Sequence, residues 1–238
     1  MEYCTFKKRL PRVANLFAAT VLWGISICTP SARAAENDTT LESRLVRLGL
    51  VDAQALDSTI EVALKYADTT NFMKENVYGG LTKCFLQPEA ANKLVKASEY
   101  LRARRPDLRL LVVDGVRPQR VQRVMWDIVQ GTSMQRYVAN PRWGSMHNYG
   151  CAVDVTLVDS CGKRLDMGTP MDYFGALAQP RLEKRFMEAG KLTAKEVSNR
   201  RLLRSVMQEA GFHSLPIEWW HFNAFEKDYI RKHYAIIE

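Results

Sequence analysis

The chain predicts an α+β fold: a single domain with a central, largely antiparallel sheet flanked by helices. Three observations carry this. Two stretches with helical spacing, 88–103 and 118–131, lie mid-chain with short apolar strands around them. Strand patterns return late, at 151–158 and 217–222. The 238 residues, 47% hydrophobic and 25% charged with 13 Gly and 9 Pro, suffice for one core without disulfide staples. That composition excludes a collagen-like, low-complexity or broadly disordered chain.

Residues 1–34 read as a secretory signal outside the fold. Lys7, Lys8, Arg9 and Arg12 form a positive n-region, and an apolar stretch runs from Val13 to Ile27. Pro30 ends it, and Ala32-Arg33-Ala34 offers small residues for cleavage. The apolar stretch is shorter than the roughly 20 residues of a spanning helix, which disfavours an uncleaved anchor. Bulky Ile27 before Cys28 disfavours a lipoprotein. The mature domain is therefore expected at 35–238, exported across the inner membrane to the periplasm and with no stable membrane insertion after cleavage.

Export changes the charge argument. The net charge of +8 falls to about +4 once five basic residues and one acid leave with residues 1–34. The remaining arginines are scattered through amphipathic segments, and no basic run is interleaved with aromatics, so a nucleic-acid partner is not expected. Three cysteines remain, Cys84, Cys151 and Cys161. An odd count leaves at least one thiol free or bonded between molecules, and a Cys151–Cys161 bridge is an open option. The chain has no C-x-x-C spacing, which disfavours thiolate zinc and thioredoxin chemistry.

Each element has its own justification. Ile60, Val62, Leu64 and Tyr66 alternate with Glu61, Ala63 and Lys65, the pattern of a half-buried strand. Pro88 opens a helix to about Ala103 with Leu94, Val95, Ser98 and Leu101 on one side. Leu108 to Val113 is an apolar strand ended by Asp114-Gly115. Pro118 suits the first turn of a helix whose Val121, Val124, Met125, Ile128 and Val129 keep helical spacing to Gly131. Pro141, Gly144 and Gly150 mark 139–150 as a loop, and Cys151 to Val158 is the next strand. A helix over Lys195–Ala210 stops at Gly211, and Ile217 to Phe222 closes the sheet.

Three features carry chemistry. Ser145-Met146-His147-Asn148-Tyr149-Gly150-Cys151-Ala152-Val153-Asp154 places a His at a loop end and an Asp seven residues later in an apolar strand. A carboxylate between Val153 and Val155 needs a partner to offset its burial. Glu218-Trp219-Trp220-His221 sets an acid and a His in the most aromatic stretch. Val112-Val113-Asp114-Gly115-Val116-Arg117-Pro118 holds an Arg at a strand-to-helix turn. His147, Asp154 and His221 would give one zinc ion two imidazoles and a carboxylate, with the fourth position for water, on the sheet. Glu218 is then left as general base. On a regular strand Glu218 and His221 would face opposite ways, about 10 Å apart. A bend near Trp219, or Glu218 lying before regular pairing begins, is therefore expected. Trp219 and Trp220 are expected as pocket wall or core. His213 and His233 are poor candidates, one after a helix end and one in a charged tail.

The spacing Ser145-x-His147-x-x-Gly150-x-Ala152-x-Asp154, followed by Glu218-x-x-His221, resembles the zinc D-Ala-D-Ala peptidases. The Asp114-Gly115-x-Arg117-Pro118 turn is similar, more narrowly, to the D-alanyl-D-alanine dipeptidases, the class that includes the vancomycin-resistance dipeptidase. Leu50-Val51-Asp52, Asn71-Phe72 and Met167-Gly168-Thr169-x-x-Asp172 fit as well, so the likeness runs over about 50–225. The resemblance implies one zinc per chain on His147, Asp154 and His221, and Glu218 as the base that later serves as acid. It implies Arg117 at the oxyanion, Asp172 on the substrate ammonium and Ser145 on the dipeptide. The implied activity is hydrolysis of D-Ala-D-Ala to two D-alanines, in peptidoglycan turnover or D-alanine recovery. The rivals are a D,D- or L,D-carboxypeptidase trimming stem peptides, and a non-catalytic zinc-stabilised binding module.

Overall fold

Apolar runs such as Leu108–Val113 and Ala152–Val158 lack helical spacing and become stable strands only when both faces are covered. In the computed structural model, which describes residues 40–238, both are. The secretory-signal reading of residues 1–34 lies outside the described residues. The described chain begins with α1 (Leu41–Arg47), β1 (Val51–Asp52), α2 (Ala53–Leu56), β2 (Glu61–Val62) and β3 (Phe85–Leu86). It continues with α3 (Pro88–Arg104), β4 (Leu108–Asp114), α4 (Gln119–Val129), β5 (Ala152–Asp159) and α5 (Glu183–Glu188). It ends with α6 (Ala194–Glu209), β6 (His213–Ser214), β7 (His221–Asn223) and α7 (Lys227–His233).

The main sheet has the order β2-β4-β5-β7-β6. Only β2 and β4 run parallel; every other neighbouring pair is antiparallel, as the α+β reading expects. Two helices cover one face. Leu94 and Leu101 of α3 with Leu203, Val206 and Met207 of α6 form one buried cluster with Leu110, Val112, Val153 and Val155. Each fully buried side chain of this kind contributes about 1.5–3 kcal/mol. Pro88 occupies the first turn of α3, and the Thr193–Glu196 capping box starts α6. A second cluster, with Tyr66, Tyr78, Val116, Val121, Met125 and Ile237, builds the wall beside the site.

Several local expectations change. The Ile60–Tyr66 strand shrinks to Glu61–Val62, although Ile60, Leu64 and Tyr66 stay buried. The ladder ends where Ala63 N–H reaches Val112 O, because β4 then bulges away and offers no further straight edge. On α4, Val124 and Ile128 are 39% and 44% exposed, while Gln122 is buried in their stead. Pro118 caps that helix from just outside. Cys151 lies just before β5 and Cys161 just after it, and Cys84 and Cys151 are buried free thiols. Two residues at opposite ends of an eight-residue strand stand about 25 Å apart, far beyond disulfide reach. The expected strand over 217–222 is paired only at His221–Asn223.

The bulge matters most for function. β4 and β5 are in register from Leu108↔Asp159 to Val112↔Val155, then slip so that Asp114 faces Asp154. The extra residue turns Asp114 off the helix-covered face shared by Leu110 and Val112 and onto the face of Asp154. Gly150 ends the preceding turn with φ +67, and its carbonyl accepts from Gln87 N–H at 2.9 Å. A Cβ there would lie 3.0 Å from Leu50 Cδ2 and 3.3 Å from Gln87 N. Gly150→Ala should cost about 1–2 kcal/mol for the left-handed backbone, read as a lower urea midpoint with an unchanged m-value.

Candidate metal and substrate site

The site grows from one pair of opposed strand residues. Asp154 on β5 and His221 on β7 are direct antiparallel partners, so their side chains stand on one face. His147 arrives from the other side on the 3₁₀ turn Met146–Tyr149. Ser145 caps that turn: its Oγ accepts from His147 N–H while its own N–H donates to Asn148 Oδ1 at 2.6 Å. Asn148 Nδ2 then donates to Arg117 O at 2.8 Å, and Arg117 N–H to His147 O at 3.0 Å. The two loops that carry His147 and Arg117 are thus tied together.

The outer hydrogen bonds set the imidazole tautomers. His147 Nδ1 donates to Gly115 O at 2.8 Å, which leaves Nε2 with its lone pair. His221 Nε2 donates to Asn223 Oδ1 at 2.8 Å, which leaves Nδ1 bare. His147 Nε2, His221 Nδ1 and Asp154 Oδ1 therefore face one another as three acceptors, at 3.0, 3.1 and 3.3 Å. A divalent cation satisfies three converging lone pairs at once, and edges of about 3.3 Å match a tetrahedron with ligands at about 2.0–2.1 Å. The donor set fits zinc or a similar ion. Among the described residues these three side chains form the group able to hold a metal. Asp154 and His147 also influence each other's titration. Burial opposes charge on both partners, yet the His imidazoles hold the Asp154 carboxyl far below the usual range. Likewise burial is outweighed at His147, whose pKa rises beside Asp154 and Asp114.

Arg117 is locked beside this centre. Its Nη2 and Nε donate to Asp114 Oδ2 at 2.5 and 3.1 Å, and Nη1 donates to Gln122 Oε1 at 3.0 Å. Asp114 also accepts from the Tyr78 hydroxyl, and Gln122 Nε2 donates to Ala139 O at 2.7 Å. The guanidinium stands over the Tyr66 ring, 5.1 Å from its centroid, and 3.9 Å from Asp154 Oδ2. Sequence reasoning placed Arg117 here but missed the partners Tyr66, Tyr78 and Gln122. Gln122 had one legible signal, a polar residue next to Val121 on the helix side that also carries Met125 and Val129.

Two more acids line the same cavity of about 570 Å³. Asp172 sits on a loop with φ +58 and accepts from the Tyr66 hydroxyl at 3.0 and 3.1 Å. Burial, with the Asp154 charge, pushes its pKa up to about 6. Glu218 lies in the irregular stretch before β7, so the alternation problem never arises and the expected position before regular pairing is observed. Burial pushes Glu218 up to about 7, with Asp154 and Asp172 acting the same way against His221 and Arg117. Trp220 lines the cavity, whereas Trp219 is core and donates Nε1–H to Thr169 Oγ1 at 2.8 Å. His213 pairs with Glu226 at 3.1 Å, and His233 Nδ1 bonds Tyr229 O at 2.8 Å, so both stay local.

A raised carboxyl pKa has a stability consequence of definite sign. Below its unfolded value near 4.5, Glu218 is protonated folded and unfolded alike, and no penalty exists. Between there and about 7 the unfolded chain loses the proton first, so stability falls as pH rises. Above about 7 the loss is complete. Chelated Glu218→Gln should therefore match wild type near pH 4.5 and exceed it at pH 8 by about 1–3 kcal/mol, less where water reaches the carboxyl. Thermal melts of both proteins across that range test it.

The profile of a family described as D-ala-D-ala dipeptidase, Peptidase M15, matches residues 46–238. A D-alanyl-D-alanine dipeptidase of Escherichia coli (strain K12) is 32% identical over 173 residues, covering 73% of this chain and 83% of that protein. One of Enterococcus faecium is 29% identical over 185 residues, 69% of this chain and 86% of that protein. One of Streptomyces coelicolor is 30% identical over 189 residues, with 72% and 89% covered.

Proposed function

The chain belongs to the D-Ala-D-Ala dipeptidase family and is a metallopeptidase, and from that premise we propose that it is a zinc enzyme hydrolysing free D-Ala-D-Ala to two D-alanines. The observation that carries the reading is the convergence of three bare donor atoms on His147, Asp154 and His221, beside a locked guanidinium and two acids of raised pKa.

Zinc held by those three side chains would supply Lewis acidity at the scissile carbonyl and make water acidic enough to ionise near neutral pH. The chain's own residues supply the rest. Glu218 takes the proton of the attacking water and returns it to the leaving amine; a carboxyl near pH 7 is suited to both transfers. Arg117 offers a permanent, pre-oriented cation to the developing oxyanion, and Asp114 and Gln122 keep it from swinging away. Asp172, steadied by Tyr66, receives the substrate ammonium, and the Ser145 hydroxyl, whose oxygen already accepts from His147 N–H, retains its own proton for the dipeptide. An acid placed for a free ammonium selects a dipeptide over a blocked or longer chain.

We place the enzyme in the periplasm, exported by residues 1–34, with recovery of D-alanine from peptidoglycan as its role. The support is the signal-like n-region, apolar stretch and small residues of that segment. Among the described residues no helix is long and apolar enough to cross a membrane.

Released alanine is the direct test. Purified protein should cleave D-Ala-D-Ala, leave L-Ala-L-Ala and N-acetyl-D-Ala-D-Ala intact, lose activity to a chelator and regain it with zinc. Cleavage of the acetylated compound would move the assignment to a carboxypeptidase, and no cleavage at all by zinc-loaded protein would leave a binding module. Glu218→Gln should lower kcat about 10²–10⁴-fold with zinc content unchanged. The rate should fall on acidification with an apparent pKa at or below about 7, since a bound dication lowers the Glu218 value. A flat profile down to pH 4.5 would exclude Glu218 as the base.

A further inference from the structure

Arg200 on α6 is fully buried, an unusual place for a guanidinium. It is remote in sequence from every residue of the site, yet it holds both ends of the loop that displays Asp172. Its Nε donates to Met167 O at 2.6 Å and its Nη1 to Leu177 O at 3.1 Å, five residues before and five after Asp172. Its neighbour Asn199 adds a bond from Nδ2 to Asp166 O at 2.8 Å. Arg200 Cζ also lies 5.8 Å from the centre of the Trp219 ring, and Trp219 donates to Thr169 in the same loop. Trp219 directly follows Glu218. One side chain therefore links the loop carrying Asp172 to the stretch carrying Glu218.

The fold does not use this group to the full. Arg200 Nη2 is buried without a hydrogen-bond partner, which carries a desolvation cost. Glu183 lies 3.9 Å from Arg200, but its stronger partner is Arg204, at 2.9 and 3.2 Å, so removing Arg200 would not orphan that acid. A well-packed apolar side chain often serves a core as well as a buried ion does. What an apolar residue cannot do is reach two carbonyls at once from one rigid plane.

We propose that Arg200 is a positioning residue for substrate recognition: it clamps the 167–177 loop at both ends and so aims Asp172 at the ammonium of the bound dipeptide. The proposal rests on the reading of Asp172 as the ammonium site. It assigns Arg200 an effect on KM and on selectivity for a free amine, with the metal centre and the proton transfers at Glu218 left as they are.

The test uses full-length Arg200→Met and Arg200→Lys beside wild type, each zinc-loaded. KM for D-Ala-D-Ala should rise about tenfold in Arg200→Met, the loss of one charge-assisted contact, with kcat within about threefold and zinc content unchanged. Lys keeps the charge but lacks the rigid planar fork that meets the two carbonyls from Nε and Nη1, so Arg200→Lys should fall between them. Discrimination against N-acetyl-D-Ala-D-Ala should shrink in the same order. Amide exchange over 167–177 should quicken in both variants while exchange in β4 and β5 stays slow. Unchanged KM and unchanged loop exchange would overturn the proposal, as would a parallel loss of kcat, zinc and thermal stability. Should Arg200→Met fail to fold, a wild-type KM in Arg200→Lys overturns it. If wild type cleaves no dipeptide, the functional reading fails, while loop exchange still decides whether Arg200 is a clamp.

Discussion

Asp154 is the residue on which the architecture turns. A carboxylate buried between two valines at the heart of a sheet is unfavourable unless cationic or ionisable partners are brought to it, and the surrounding structure brings them from three directions. His221 comes from the neighbouring strand, His147 from the capped turn before β5, and Arg117 from the turn after β4. Each arrives on a different element, so satisfying one acid fixes the mutual placement of three segments. Structural demand and chemical capacity coincide, because the groups that neutralise Asp154 are those a hydrolytic site needs.

The remaining charges show an imbalance that favours a cation. Asp114, Asp154, Asp172 and Glu218 surround a single guanidinium and two imidazoles. Asp114 is paired with Arg117 and the histidines hold the Asp154 carboxyl low, whereas Asp172 and Glu218 are left in surplus and drift upward in pKa. A dication in the three-acceptor corner would rebalance the cluster and draw both surplus acids back toward their ionised forms. Coupling of this kind links metal occupancy to the readiness of the base.

Much of this was legible in the residues, and the rest fails for identifiable reasons. Asp154 could be read because an acid flanked by valines contradicts its strand. His221 and Glu218 could be read because an acid and a His share the most aromatic stretch, and the break that their spacing required is met, since β7 begins only at His221. The long helices followed from Pro88, the apolar spacing and Gly211. What escaped depends on tertiary context. Gln122 is polar but buried, and it displaced Val124 and Ile128 from the inner face of α4. The Ile60–Tyr66 alternation was real as burial but lost its ladder to a bulge in a strand fifty residues later. Tyr66 and Tyr78 carry no local sign that their hydroxyls serve Asp172 and Asp114. α7 lay in a segment whose charge masked the single inward residue Ile230.

The order of the three converging donors along the chain has a kinetic meaning. His147 and Asp154 are seven residues apart on one turn and strand, but His221 belongs to a strand near the end of the described residues. A ribosome delivers that last donor well after the other two, so no chain stopped short of it presents the full triangle. Two donors alone hold an ion weakly and with little geometric preference. The choice of metal is thus deferred to the finished sheet, in whichever compartment β7 docks, and the ion captured is the one available where folding is completed.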